Sequence, residues 1–228
     1  MIQHFLATDA PVTGGGLYIP LVGQNNGFTI SNCLGTLGLG LVQGTQANQR
    51  VGAKISPTRL NLKFFVKSAT YDANHNFTQV PFEFHILLWK KKSNPDGDPN
   101  SILFDTNKAE TYIDGSSERS MLQWNTHDYV IKKHIVRRLK PPVVQVNSTN
   151  THINDTYGSS SNPFFVRVGC NVKVKSSLLY AHGPNEDTPT NDWFALSCYI
   201  VNGSGQAIGV NQSRAFFSCL ATMHYKDA

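Results

Sequence analysis

Residues 57–68 read Pro-Thr-Arg-Leu-Asn-Leu-Lys-Phe-Phe-Val-Lys-Ser, and the period of that run is two. Leu60, Leu62, Phe64 and Val66 fall on one side, and Arg59, Asn61, Lys63, Phe65 and Lys67 on the other. Side chains alternate at every residue of a strand, so this run is a strand with one face in a core and a cationic face in water. A helical period of 3.6 would scatter the same apolar residues around the cylinder.

The same signal recurs at 17–22, 80–89, 129–139, 164–175, 193–201 and 214–225, each run bounded by Gly, Pro, Asn or Asp. No amphipathic helical window of useful length competes. The Gly-rich apolar stretch 27–42 reads either as a strand with bulges or as an extended arm. Short apolar segments stand at 102–104, 112–113 and 120–125, and polar, turn-rich stretches at 90–100, 145–163, 181–191 and 202–213 read as surface loops. The sum is about eight or nine strands joined by long, uneven loops, which favours an all-β, antiparallel jelly-roll sandwich over an immunoglobulin-type one. At 228 residues the expectation is one domain over 1–228, in which 1–49 forms a partly extended N-terminal segment and first strand.

Hydrophobic residues make up 40% of the chain, enough for a core, but charged residues only 15%. A surface poor in charge and rich in Asn, Ser, Thr and Gly suits a protein that buries neutral surface against copies of itself. The net charge of +5 favours a polyanionic partner, and since 1–49 holds no Lys or Arg, every positive side chain lies in the strand-rich remainder. No run reaches the roughly 18 apolar residues of a membrane helix, and 1–10 lacks the basic start of a secretory leader, so neither membrane insertion nor secretion is expected. Cys33, Cys170, Cys198 and Cys219 are scattered, the last three in apolar runs, and read as buried thiols. Asn-x-Ser/Thr sequons at Asn76, Asn147, Asn154, Asn202 and Asn211 are what Asn-rich loops produce by chance.

Motifs of catalysis are absent: no nucleophile elbow, phosphate loop, zinc-protease helix or dinucleotide fingerprint occurs. His127-Asp128 and the His152, Asp155 pair stand at strand starts or in loops, where polar turn-formers are expected in any case. Asn94, Asp96 and Asp98 have the alternate spacing of a cation loop without its closing Glu. The expectation is therefore a non-enzyme without cofactor or metal. Basic residues form the stronger pattern: Arg50, Lys54, Arg59, Lys63 and Lys67 along one segment, Lys132, Lys133, Arg137 and Arg138 along a second, Lys173 and Lys175 along a third. If these strands are neighbours, they make a cationic face that neutralises phosphates without reading sequence, with Phe65 and His134 placed to stack on bases. The plain alternative is that Lys and Arg occupy whichever face is wet. Lys90-Lys91-Lys92 reads as a solvated strand end.

Two segments carry a resemblance. Gln43-Gly-Thr-Gln-Ala-Asn-Gln-Arg-Val-Gly-Ala-Lys-Ile55, followed at once by the long strand, resembles the block opening the capsid domain of small circular single-stranded DNA viruses that encode a replication initiator, the circovirus-like group. The ending Met223-His-Tyr-Lys-Asp-Ala228 is similar to the final strand of those proteins, and the order of strands between is similar over nearly the whole chain. The resemblance implies an eight-stranded jelly roll of viral capsid type, a sixty-copy icosahedral T=1 shell, a single-stranded DNA genome held on its inner surface, and a host receptor met by outer loops. It also implies a virion protein that passes through the host nucleus during assembly. In one respect the chain departs from the pattern: such proteins begin with an Arg-rich arm, whereas 1–49 has no Arg, which leaves packaging to the sheet face unless an arm precedes this sequence. The capsid of a small RNA virus is the nearest alternative, and a jelly-roll carbohydrate-binding module the next, although Trp89, Trp124 and Trp193 lie in or beside strand runs and read as core.

Overall fold

The computed structural model describes residues 2–12, 17–22, 44–45, 49–69, 81–91, 126, 129–140, 143–146, 152–156, 165–173, 177–180, 194–202 and 215–227. These residues are all-β. Eleven strands follow one another: β1 (Ile2–Val12), β2 (Leu17–Val22), β3 (Lys54–Ser68), β4 (Phe82–Lys91), β5 (Tyr129–Leu139), β6 (Val143–Val146), β7 (His152–Thr156), β8 (Phe165–Lys173), β9 (Leu178–Leu179), β10 (Phe194–Asn202) and β11 (Ala215–Asp227). No helix occurs among the described residues, and so none long and apolar enough to cross a membrane.

Two antiparallel sheets dominate. The first has the order β1-β11-β3-β8, with β9 also paired to β3; the second has the order β2-β10-β4-β5; β6 and β7 pair with each other alone. If the short β6, β7 and β9 are set aside, the pairings nest: β4 with β5, β3 with β8, β2 with β10 and β1 with β11, all antiparallel. The pairings of β10 with β4 and of β11 with β3 then complete the two sheets.

The period-two pattern explains what each sheet buries. Leu60, Leu62, Phe64 and Val66 of β3 and Phe217, Cys219, Ala221 and Met223 of β11 meet Phe82, Phe84, Ile86 and Leu88 of β4 and Leu196, Cys198 and Ile200 of β10 in one core. Phe217 joins the layers, stacked at 6.0 Å on Phe84 of the second sheet and 5.6 Å from Phe64 of its own. Each such aromatic removes a large apolar area from water, about 2–3 kcal/mol apiece.

The outward faces differ. On the first sheet the outward residues of β8 are all exposed and its inward valines are packed against the core. On the second, β4 is buried on both faces: Leu87 and Trp89 point away from the shared core yet are fully inaccessible. Trp89 donates its indole N–H to Ser197 Oγ at 2.9 Å and meets Tyr129 edge-on at 5.2 Å.

Strands expected at 17–22 and 129–139 occupy those residues, and the others shift by one to three positions. One expectation is corrected: the stretch expected as a surface loop at 145–163 contains β7 and the end of β6. Residues 2–12 add a full strand that the pattern did not mark. Backbone hydrogen bonding along β11 makes β1 a strand although a bulge between Ala7 and Ala10 breaks its alternation. The runs at 27–42, 102–104, 112–113 and 120–125 lie outside the described residues, as do most of the expected loops.

Candidate nucleic-acid interface

β3 is the middle row of the outward face of the first sheet. Its Arg59, Asn61, Lys63, Phe65 and Lys67 stand opposite Lys173, Asn171, Gly169, Arg167 and Phe165 of β8, in that order. On the other side they stand opposite His224, Thr222, Leu220, Ser218 and Phe216 of β11. The five cations Arg59, Lys63, Lys67, Arg167 and Lys173 thus share one face, about 27 Å long at the rise of a strand. Neither β3 nor β8 contains an Asp or Glu.

Aromatic rings interleave with these charges. Lys67 Nζ lies 5.4 Å over the Phe216 ring, and the Arg167 guanidinium 5.7 Å over Phe65, which in turn is 5.8 Å from Phe165. Both cation contacts are within the distance at which a ring face attracts a positive group. Phe165 is 42% exposed, a large apolar area for a side chain with no core role. Lys63 and Phe65 of β3, Arg167 and Gly169 of β8 and Ser218 and Leu220 of β11 line an open depression of about 490 Å³ that spans the three strands.

The remaining basic residues divide. Lys54 is exposed at the β9 end of the same sheet, opposite Leu179. Arg50 is fully buried; its guanidinium lies 4.4 Å over the Tyr180 ring and donates to the Gly52 carbonyl at 2.7 Å, so it is closed to a ligand from solvent. Lys132, Lys133, Arg137 and Arg138 lie on β5, the edge of the other sheet, and do not join the β3–β8 face. Charges on an edge strand discourage its pairing with another chain. Arg138 donates to Glu83 Oε1 at 2.9 Å, and Arg137 to the carbonyl of its neighbour Val136 at 2.7 Å. Lys133 approaches the edge of β8: it offsets part of the upward push that burial gives the Cys170 thiol. Lys175 lies outside the described residues.

His134 also belongs elsewhere than beside Phe65. On the outward face of the second sheet its Nε2 is 3.0 Å from His85 Nδ1, and the His85 ring stacks on Tyr199 at 4.4 Å. Glu83 is 3.6 Å from the other nitrogen of His85. Burial, then the neighbouring His134, lower the pKa of His85 from 6.5 to about 4, against an upward pull from Glu83. Among the described residues no three His, Cys, Asp or Glu side chains converge to hold a metal.

Arg167, Phe165 and Phe216 are the members of the face that the basic pattern alone left out. Parity signals the first two, since Val166 and Val168 face inward and their odd-numbered neighbours must face out. The two resembling segments also meet: Ile55 pairs with Asp227 and Pro57 with Tyr225, and the Val51 N–H donates to Asp227 Oδ2 at 3.2 Å. Comparison with known protein families and with curated proteins finds no match.

Proposed function

We propose that this chain is a jelly-roll coat protein whose copies assemble into a small icosahedral shell around a single-stranded DNA genome. The observation that carries the reading is the nesting of the strand pairs. A long antiparallel hairpin that pairs first with last, second with second-last and so on, and is then rolled so that its strands alternate between two sheets, is the jelly roll. The orders β1-β11-β3-β8 and β2-β10-β4-β5 support that reading. The contacts of Val51 and Ile55 with Asp227 add to it, since they bring together residues of the two segments that resemble circovirus-like capsids. Trp89 is sealed and hydrogen-bonded, and so offers no platform for a carbohydrate.

In this reading the protein works by assembly. Closed symmetry repeats one set of subunit contacts around each axis, and neutral surface suits those contacts because little charge has to be desolvated. The face bearing Arg59, Lys63, Lys67, Arg167 and Lys173 turns inward, where it neutralises phosphates of the genome and releases their counterions. Electron microscopy of purified protein, with sedimentation velocity across salt and pH, tests the proposal. Uniform small closed particles are expected; monomers under every condition would overturn it.

A further inference from the structure

We infer that the depression lined by Phe65 and Gly169 seats an unpaired nucleobase, which makes the β3–β8 face selective for single-stranded nucleic acid. This rests on the cationic face as a nucleic-acid surface and goes beyond it in assigning a place for a base. Cations alone hold any polyanion, duplex or single-stranded. What this face has in addition is a recess beside an aromatic ring: about 490 Å³, within the roughly 300–1,000 Å³ of small-molecule clefts, walled by Phe65 and with Lys63 and Arg167 at its rim.

One lining residue leaves the recess open on the β8 side. Every other outward position of β8 carries a side chain, Phe165, Arg167, Asn171 or Lys173, and Gly169 carries none. The backbone does not demand glycine there: a Cβ at Gly169 meets nothing closer than the Leu62 carbonyl oxygen at 3.8 Å, ordinary van der Waals contact. The missing side chain therefore opens space on the outward face and relieves no crowding.

The chemistry of the walls matches a base lying flat. Phe65 offers a ring, Leu220 an apolar contact, Ser218 a hydroxyl, and the guanidinium of Arg167, already 5.7 Å from the Phe65 centroid, covers one end. Lys63 at the rim is placed for the phosphate of the same nucleotide. A duplex keeps its bases paired and stacked inside, so only a strand with free bases fills the recess. The groups present read the flat face of a base, so no strong preference for one base is expected.

Fluorescence anisotropy on the purified protein decides this with four probes of equal length: oligo(dT), oligo(rU), an abasic deoxyribose-phosphate strand and a duplex. Either single strand binding about ten-fold more tightly than the abasic strand supports the seat, the scale of one base stacked on an aromatic side chain. The dT and rU arms show whether ribose or deoxyribose is preferred. Gly169→Leu, which fills the recess and removes no cation, should lose that ten-fold while leaving abasic binding unchanged; Lys63→Glu should weaken all four. Equal binding of abasic and base-bearing strands by the parent protein would overturn the seat and leave the cationic face standing, whereas no binding of any probe would overturn both. If Gly169→Leu fails to fold, Phe65→Leu serves for the same comparison.

Discussion

His85 shows how strand pairing sets the chemistry of a single side chain. It is 8% exposed, between Tyr199 and His134, and its pKa of about 4 means that the folded protein keeps the ring neutral where an unfolded chain would protonate it near 6.5. The unfolded state therefore binds the extra proton first as the pH falls. Stability from this residue is intact above about pH 6.5 and is lost progressively down to about pH 4, by about 3 kcal/mol in all. His134, also lowered by burial, works in the same direction. Urea titrations at about pH 7 and pH 4.5 should differ in the parent by more than those of His85→Phe, which retains a ring against Tyr199; equal pH slopes in the two proteins would refute this account. The thiols give a second residue-scale test. Burial raises Cys219 to about 12 and Cys198 well above the ordinary range, and each thiolate would also meet a neighbouring cysteine. Iodoacetamide at about pH 8 should leave both unmodified in the native protein and modify both in urea, as read by peptide mass spectrometry.

At the scale of the elements, alternation determines what each residue is worth. Phe217 is fully buried where the two sheets meet, and Phe165, on the outward face of β8, is 42% exposed. Phe217→Ala should cost about 3–5 kcal/mol and Phe165→Ala within about 0.5, measured by thermal or urea unfolding. Near-equal costs would mean that the facing assigned to β8 or β11 is wrong. This facing was legible in the sequence wherever alternation was unbroken: the two sides of β3 read from 57–68 are the two sides it presents in the fold. What alternation does not contain is the identity of a neighbour. Arg59 and Lys173 are more than a hundred residues apart and stand opposite each other, while the paired cations of β5 went to the other sheet. Nor does it reveal strands specified mainly by backbone hydrogen bonds, which is why β1, with its bulge, and the four- and five-residue β6 and β7 were not legible.

For the whole molecule, the decisive property is that its two outward faces are chemically unlike. On the second sheet the outward Leu87 and Trp89 are fully inaccessible, while the first carries five cations and three phenylalanines on its outward face. If the face binds a strand through phosphates, each neutralised contact releases condensed counterions, and the logarithm of affinity falls with the logarithm of salt by about 0.7 per contact on single strands. With Arg59, Lys63, Lys67, Arg167 and Lys173 all engaged, the slope for oligo(dT) is about −3.5, and each Lys→Gln change on this face should reduce its magnitude by about 0.7. Lys132→Gln and Lys133→Gln on β5 should leave it unchanged, because those side chains belong to the edge of the other sheet. A slope insensitive to Lys63 and Lys67 but reduced by Lys132 and Lys133 would move the interface to that edge. Shell assembly provides the independent control, since it depends on subunit contacts and should survive single Lys→Gln changes on the β3–β8 face. Particles that form normally yet retain less nucleic acid as these lysines are removed would separate the two tasks proposed for the molecule, closing a shell and holding what is inside.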